Sequence, residues 1–164
     1  MRKGFTLLEL LIIIVILGVL TTLIMGNFFT SLKKGRDAQR KGDLEQIQRS
    51  LEMYYEDKKA YPLTAAFDLT HGYSFCESAV RQNCLATEKA YMLKLPRDPS
   101  GGQSYGYESA DGTYYKLYAC LENSQQVLPY TSNPTAFNCQ QQCFDKDNNS
   151  VNCIWGVSSP NVSP

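Results

Sequence analysis

Hydrophobic and polar positions are spread very unevenly along this chain. Residues 10–32 hold no charged side chain in 23 positions, and from 10 to 20 every residue except Gly18 is apolar. At the α-helical rise this stretch covers about 34 Å, enough to cross a hydrocarbon core of roughly 30 Å. It predicts one membrane-spanning helix over residues 5–32. A cleavable secretory signal fits less well, because its apolar core normally ends after about 7–15 residues at a small-residue cleavage site. Here the run is longer, no such site follows, and Glu9 interrupts the approach.

Beyond Leu32 the chain turns polar, and an apolar stripe then resumes at Leu44, Ile47, Leu51, Tyr54 and Tyr55. Intervals of three and four residues set one side of a helix against a core. Tyr61-Pro62 marks its end, because a residue before proline is driven out of the α region. Residues 33–61 therefore continue the first helix, giving one nearly continuous rod from Phe5 to Lys59 on the order of 80 Å long. Gly26, Gly35 and Gly42 are its soft points, each costing roughly 1 kcal/mol relative to Ala.

Residues 62–164 read as a globular head. Residues 63–95 are loose and turn-rich, with a short helix expected over 87–93. The run Leu95-Pro96-Arg97-Asp98-Pro99-Ser100-Gly101-Gly102 is made of turn formers. Residues 105–108 and 113–121, separated by Ser109-Ala110-Asp111-Gly112, predict a β-hairpin. In its second strand Tyr115, Leu117 and Ala119 share one face, expected to pack on the helical stripe, and Tyr114, Lys116 and Tyr118 share the other. The tyrosines are read as sheet packing rather than a ligand platform. The tail 123–164, rich in Ser, Asn, Gln and Pro, is expected to be irregular. The fold class is α+β: a long N-terminal helix on a small antiparallel sheet, with a disulfide-stabilised irregular C-terminal region.

Composition narrows the function classes. The 164 residues suit one modest domain, and 16 Lys+Arg balance 16 Asp+Glu. The zero net charge lacks the global basic footprint of a nucleic-acid binder. The local cluster Lys33, Lys34, Arg36, Arg40 and Lys41 is interleaved with Asp37, Asp43 and Glu45 and reads as helix-surface pairs and contacts to lipid headgroups. Nucleic acid is not an expected partner. The single histidine, His71, stands in a turn-like context, and neither a nucleophile motif nor a Gly-rich phosphate cradle is present, so no enzyme is expected. All six cysteines (Cys76, Cys84, Cys120, Cys139, Cys143, Cys153) follow the apolar segment. An even number in a small loop-rich domain suits disulfides in an oxidising compartment. Fifteen pairings are open to six cysteines. Local loops favour Cys76 with Cys84, and Cys139 or Cys143 with Cys153. Zinc on these thiols is less favoured, with no histidine nearby.

Glu9 needs an explanation, because a carboxylate at the edge of a spanning helix is costly and calls for a partner. Arg2-Lys3-Gly4-Phe5-Thr6-Leu7-Leu8-Glu9-Leu10 resembles the processing motif of type IV pilins and the pseudopilins of type II secretion. Residues 36–62, including Leu44, Ile47, Leu51, Tyr54-Tyr55 and Tyr61-Pro62, and the later Leu95-Pro96-Arg97-Asp98-Pro99 are similar to segments of major pseudopilins.

The resemblance implies that a prepilin peptidase cuts after Gly4, removes the leader 1–4, and leaves Phe5 as a methylated N-terminus. It implies that Glu9 neutralises the Phe5 amine of an adjacent subunit as a helical homo-oligomer grows. The head would lie in the periplasm or outside, on a single-pass anchor in the lipid of the cytoplasmic (inner) membrane. An assembly ATPase and an inner-membrane platform protein would drive growth. A minor pilin that primes the fibre, or serves adhesion or DNA uptake, would share these residues. Major pseudopilins commonly bind calcium in a C-terminal loop, which makes Asp145, Asp147 and Asn149 weak candidates here. The EF-hand pattern itself fails, because Ser150 stands at the turn glycine and no Glu follows at the required distance.

Overall fold

The computed structural model describes residues 4–78, 80–129, 137 and 139–163, without the side chains at 23 and 24. The leader's Met1, Arg2 and Lys3 lie outside the described residues. One helix, α1 (Leu7–Lys58), dominates the molecule. It opens on Thr6, whose extended backbone and side chain cap the first turn, and closes on Lys59 in the left-handed conformation (φ 56°), whose N–H donates to Tyr55 O at 2.7 Å. The chain therefore leaves the helix two residues before Tyr61, ahead of the proline block. Taken singly, neither arm, Leu7–Thr22 or Asn27–Lys58, is long and apolar enough to cross a membrane. The two arms, bent by 41° across the residues between them, meet the requirement together by length and composition.

The head begins with a 3₁₀ turn (Thr64–Ala66) and carries nine short strands among the described residues: β1 (Ser74–Cys76), β2 (Val80–Arg81), β3 (Ala90–Met92), β4 (Gly106–Glu108), β5 (Lys116–Cys120), β6 (Val127–Leu128), β7 (Gln142–Asp145), β8 (Ser150–Asn152) and β9 (Ile154–Ser158). They form three sheets ordered β2-β1-β3, β4-β5-β9 and β6-β7-β8. All pairs are antiparallel except β6 with β7.

The central sheet docks on α1. Leu44, Ile47 and Leu51 meet Tyr115, Leu117 and Ala119 in one buried core, completed by Phe75, Tyr91 and Leu95. The expected hairpin and its alternation hold: Tyr118 falls on the opposite face with Cys120 and Ile154, in a separate cluster.

Three expectations are corrected. Residues 87–93 contain strand β3 rather than a helix, because Tyr91 is drawn into the core beside Tyr54 and Phe75. Nor is the tail irregular over its described residues. It contributes β6 to β9, and β9 pairs residue by residue with β5 from Ile154↔Cys120 to Ser158↔Lys116. Its signal was the alternation Ile154-Trp155-Gly156-Val157-Ser158, with Ile154 and Gly156 buried. The third correction concerns Asp37, Arg40 and Asp43, which are buried at the head rather than paired on an open helix surface.

Candidate functional site

Two regions carry chemistry: the N-terminal segment and the junction between stem and head. At the N-terminus Gly4 is exposed, nothing lies within 4 Å of a Cβ built on it, and Phe5 is 74% exposed. Thr6 and Glu9 form a capping box. The Thr6 backbone N–H and hydroxyl donate to Glu9 Oε2 at 3.0 and 2.8 Å, and the Glu9 N–H donates to Thr6 Oγ1 at 3.3 Å. The reciprocal bonds satisfy donors that a helix start leaves open. The Thr6-x-x-Glu9 spacing is the sequence signature of this box. Glu9 thus bonds to Thr6 through one oxygen, Oε2. From Leu7 to Leu32 the described large apolar side chains are exposed, from 42% at Leu32 to 85% at Leu7, on every side of the helix.

At the junction the basic cluster divides in two. Lys33 and Lys34 are exposed. Arg40 is fully buried and donates from Nε to Asp98 at 2.7 Å, from Nη1 to Asp37 at 2.9 Å and from Nη2 to Glu122 at 2.6 Å. Arg36 forms a second, bidentate pair with Glu122. Asp37 also accepts the backbone N–H groups of Glu122 and Asn123, each at 2.9 Å, and the side-chain amide of Gln126 at 3.0 Å. Lys41 donates to Gln126 and sits 4.2 Å from the centre of the Trp155 ring. The hydrogen bond from Arg36, assisted by Arg40, outweighs burial and holds the Glu122 carboxyl down at about 2. For Asp98 burial pushes upward, but the bonds from Arg40 and Ser100 prevail and lower it.

Head tyrosines reach helix carboxylates along the same face. Tyr105 donates to Asp43 at 2.5 Å, Tyr61 and Tyr115 donate to the two oxygens of Glu52, and Tyr91 donates to Asp57. Burial first, and these carboxylates second, push the Tyr61, Tyr91, Tyr105 and Tyr115 phenols well above their ordinary value. None of this network was visible in the sequence, since its hydrogen-bonded members lie up to 89 positions apart.

The cysteines form Cys76–Cys84, Cys120–Cys139 and Cys143–Cys153. The first is the favoured local loop, and the third decides between the two partners left open for Cys153. The calcium candidates occupy the β7–β8 turn. There Asp145, 3% exposed, accepts the N–H groups of Asp147 and Asn149 through Oδ1 and the Asn149 amide through Oδ2. A calcium ion needs six to eight converging oxygens. Here the single buried carboxylate is spent on N–H donors, Asn149 presents its nitrogen, and Asp147 pairs with Lys146 on the surface. The residues do not fit calcium.

The prokaryotic N-terminal methylation motif matches residues 1–25. The type II secretion system core protein G of Klebsiella pneumoniae is 35% identical over 103 residues, covering 61% of this chain and 70% of that one. The chain belongs to the core protein G family. Core protein G of Vibrio cholerae is 32% identical over 66% of this chain and 73% of its own, and that of Escherichia coli K12 is 31% identical over 61% and 68%. No solved structure matches the chain.

Proposed function

We propose that this protein is the structural subunit of a type II secretion pseudopilus, anchored in the inner membrane until it joins the filament. The observation that carries the reading is the division of α1. Its first part exposes apolar side chains all round, and its second part is locked to a folded head. An all-round apolar helix is stable only in lipid or against other apolar helices. A filament supplies the second environment by packing copies of the same helix together. The head then lies on the periplasmic side, where the cysteines can be oxidised. The family membership argues for a structural rather than an enzymatic role.

Processing follows from the exposed Gly4–Phe5 bond. A prepilin peptidase would cut there and leave the Phe5 amine, which is then methylated. The Glu9 carboxylate would pair with that amine on the neighbouring copy through Oε1, while Oε2 keeps the helix capped. Two charges that are costly alone in an apolar medium coexist when paired. No phosphate-binding loop is evident in the sequence, so the energy of assembly comes from a partner ATPase acting through a membrane platform protein.

Glu9→Ala should insert and be cleaved normally but give few filaments, and wild-type filament yield from that variant would defeat the pairing. A bulky replacement of Gly4 should leave the precursor uncut. Intact mass spectrometry of the wild type should report Phe5 at the N-terminus, its methyl group and the loss of two hydrogens per disulfide. A chain still beginning at Met1 would overturn the processing assignment. Copy number in purified filaments distinguishes this subunit from a minor one at the tip.

A further inference from the structure

The ionic cluster between stem and head has no role in the filament reading, yet it has the form of an occupied cation site. Arg40 stands fully buried where three separate segments meet: α1 through Asp37, the turn before β4 through Asp98 and Ser100, and the loop after β5 through Glu122. Nε, Nη1 and Nη2 all donate to oxygens of that set. The other charged or titratable groups facing the cluster are Arg36 on Glu122, Lys41 tied to Asp37 through Gln126, and Asp43 with the Tyr105 hydroxyl upon it.

Oxygen ligands gathered from distant segments around one positive charge are what a structural metal ion ordinarily organises. The C-terminal turn, by contrast, offers no such ligand set. Among the described residues no group of three or more His, Cys, Asp or Glu could hold a metal ion. The residues outside the description include no Asp, Glu, His or Cys.

We infer that Arg40 is the resident cation of this head, so that the head is built and held without calcium. A guanidinium suits the task because its five donors lie in a fixed plane and its charge persists at any physiological pH. Unlike a bound ion it cannot be removed by chelation or diluted away. The disulfides Cys120–Cys139 and Cys143–Cys153 flank the loop that Arg40 holds, and they fix covalently what an ion at the neighbouring turn would otherwise fix.

The test uses the full-length protein in detergent micelles, with unfolding followed by fluorescence of Trp155, the single tryptophan, which lies under Lys41 beside the cluster. Wild type should melt at the same temperature in millimolar calcium and in chelator. Arg40→Met should melt roughly 5 °C or more lower near neutral pH, because it leaves the carboxylates buried without their cation. Part of that loss should return near about pH 5, where protonation relieves their repulsion. A melting temperature of the wild type that rises in calcium would overturn the inference. So would an Arg40→Met deficit that is identical at both pH values, which would make Arg40 a packing residue only. Should Arg40→Met fail to fold, Arg40→Lys keeps the charge without the fork and should melt lower than wild type with no response to calcium. A calcium response of Arg40→Lys alone would again overturn the inference. Filament assembly enters none of these measurements, so their outcome is independent of the assembly reading.

Discussion

Glu9 is placed by its own helix before any neighbour arrives. The capping box with Thr6 fixes its rotamer and commits one oxygen, so under the proposed pairing the carboxylate would meet a second chain already oriented. Gly112 shows a different dependence on one residue. Its φ of +77° is a conformation that side chains with a Cβ rarely adopt, and a Cβ there would lie 2.9 Å from Tyr61 O. The same backbone accepts the Tyr61 N–H at 2.8 Å, tying the β4–β5 connection to the end of the stem. Gly112→Ala should cost about 1–3 kcal/mol of head stability by denaturant unfolding. An unchanged midpoint would show that the connection relaxes freely. Thr6 and Glu9 could be read from their spacing, whereas the need for glycine at 112 arises from a contact 51 positions distant and could not.

The elements meet through carboxylates on α1. Core burial of Leu44, Ile47 and Leu51 supplies attraction without direction. Asp37, Asp43, Glu52 and Asp57 supply direction by accepting hydrogen bonds from the head at fixed points. This has a consequence for acid stability. Glu122 ionises near 2 in the folded protein against an ordinary 4.5, so its contribution is complete above about pH 4.5 and is lost as pH falls toward 2. The melting temperature should fall through that window. In Arg36→Gln, which removes the main cause of the shift, the fall should be smaller and should level off at a higher pH. Coincident pH profiles for the two proteins would argue that Arg36 contributes nothing. The apolar stripe of α1 was visible as a helical period, but its charged residues looked like an ordinary solvated face. Burial of Arg40 depends on what folds over it.

Across the whole molecule, topology makes the tail structural. The chain leaves the central sheet after β5, forms the small sheet β6-β7-β8 and returns as β9 beside β5. Cys143–Cys153 locks the last turn of that path, and Leu121 N donates to Cys153 O at 2.7 Å where it rejoins the sheet. Replacing both Cys143 and Cys153 by Ala should cost about 2–4 kcal/mol and loosen β9 as well as the small sheet. Hydrogen exchange at residues 154–158 is the direct measurement. Continued protection there would mean that β9 is held by β5 alone.

The apolar segment, the helical period, the processing motif and the β4–β5 hairpin were legible in the sequence because each is a local pattern of spacing. Sequence alone also pointed to disulfides and made Cys76–Cys84 the natural loop. The tertiary structure alone decided that β9 joins β5, that residues 90–92 form a strand, and that Arg40 is an interior charge. The physical reason is the same in each case. Local spacing fixes which face of an element is apolar, but a strand partner, a buried ion pair or a satisfied carboxylate is defined by groups that only the folded chain brings together.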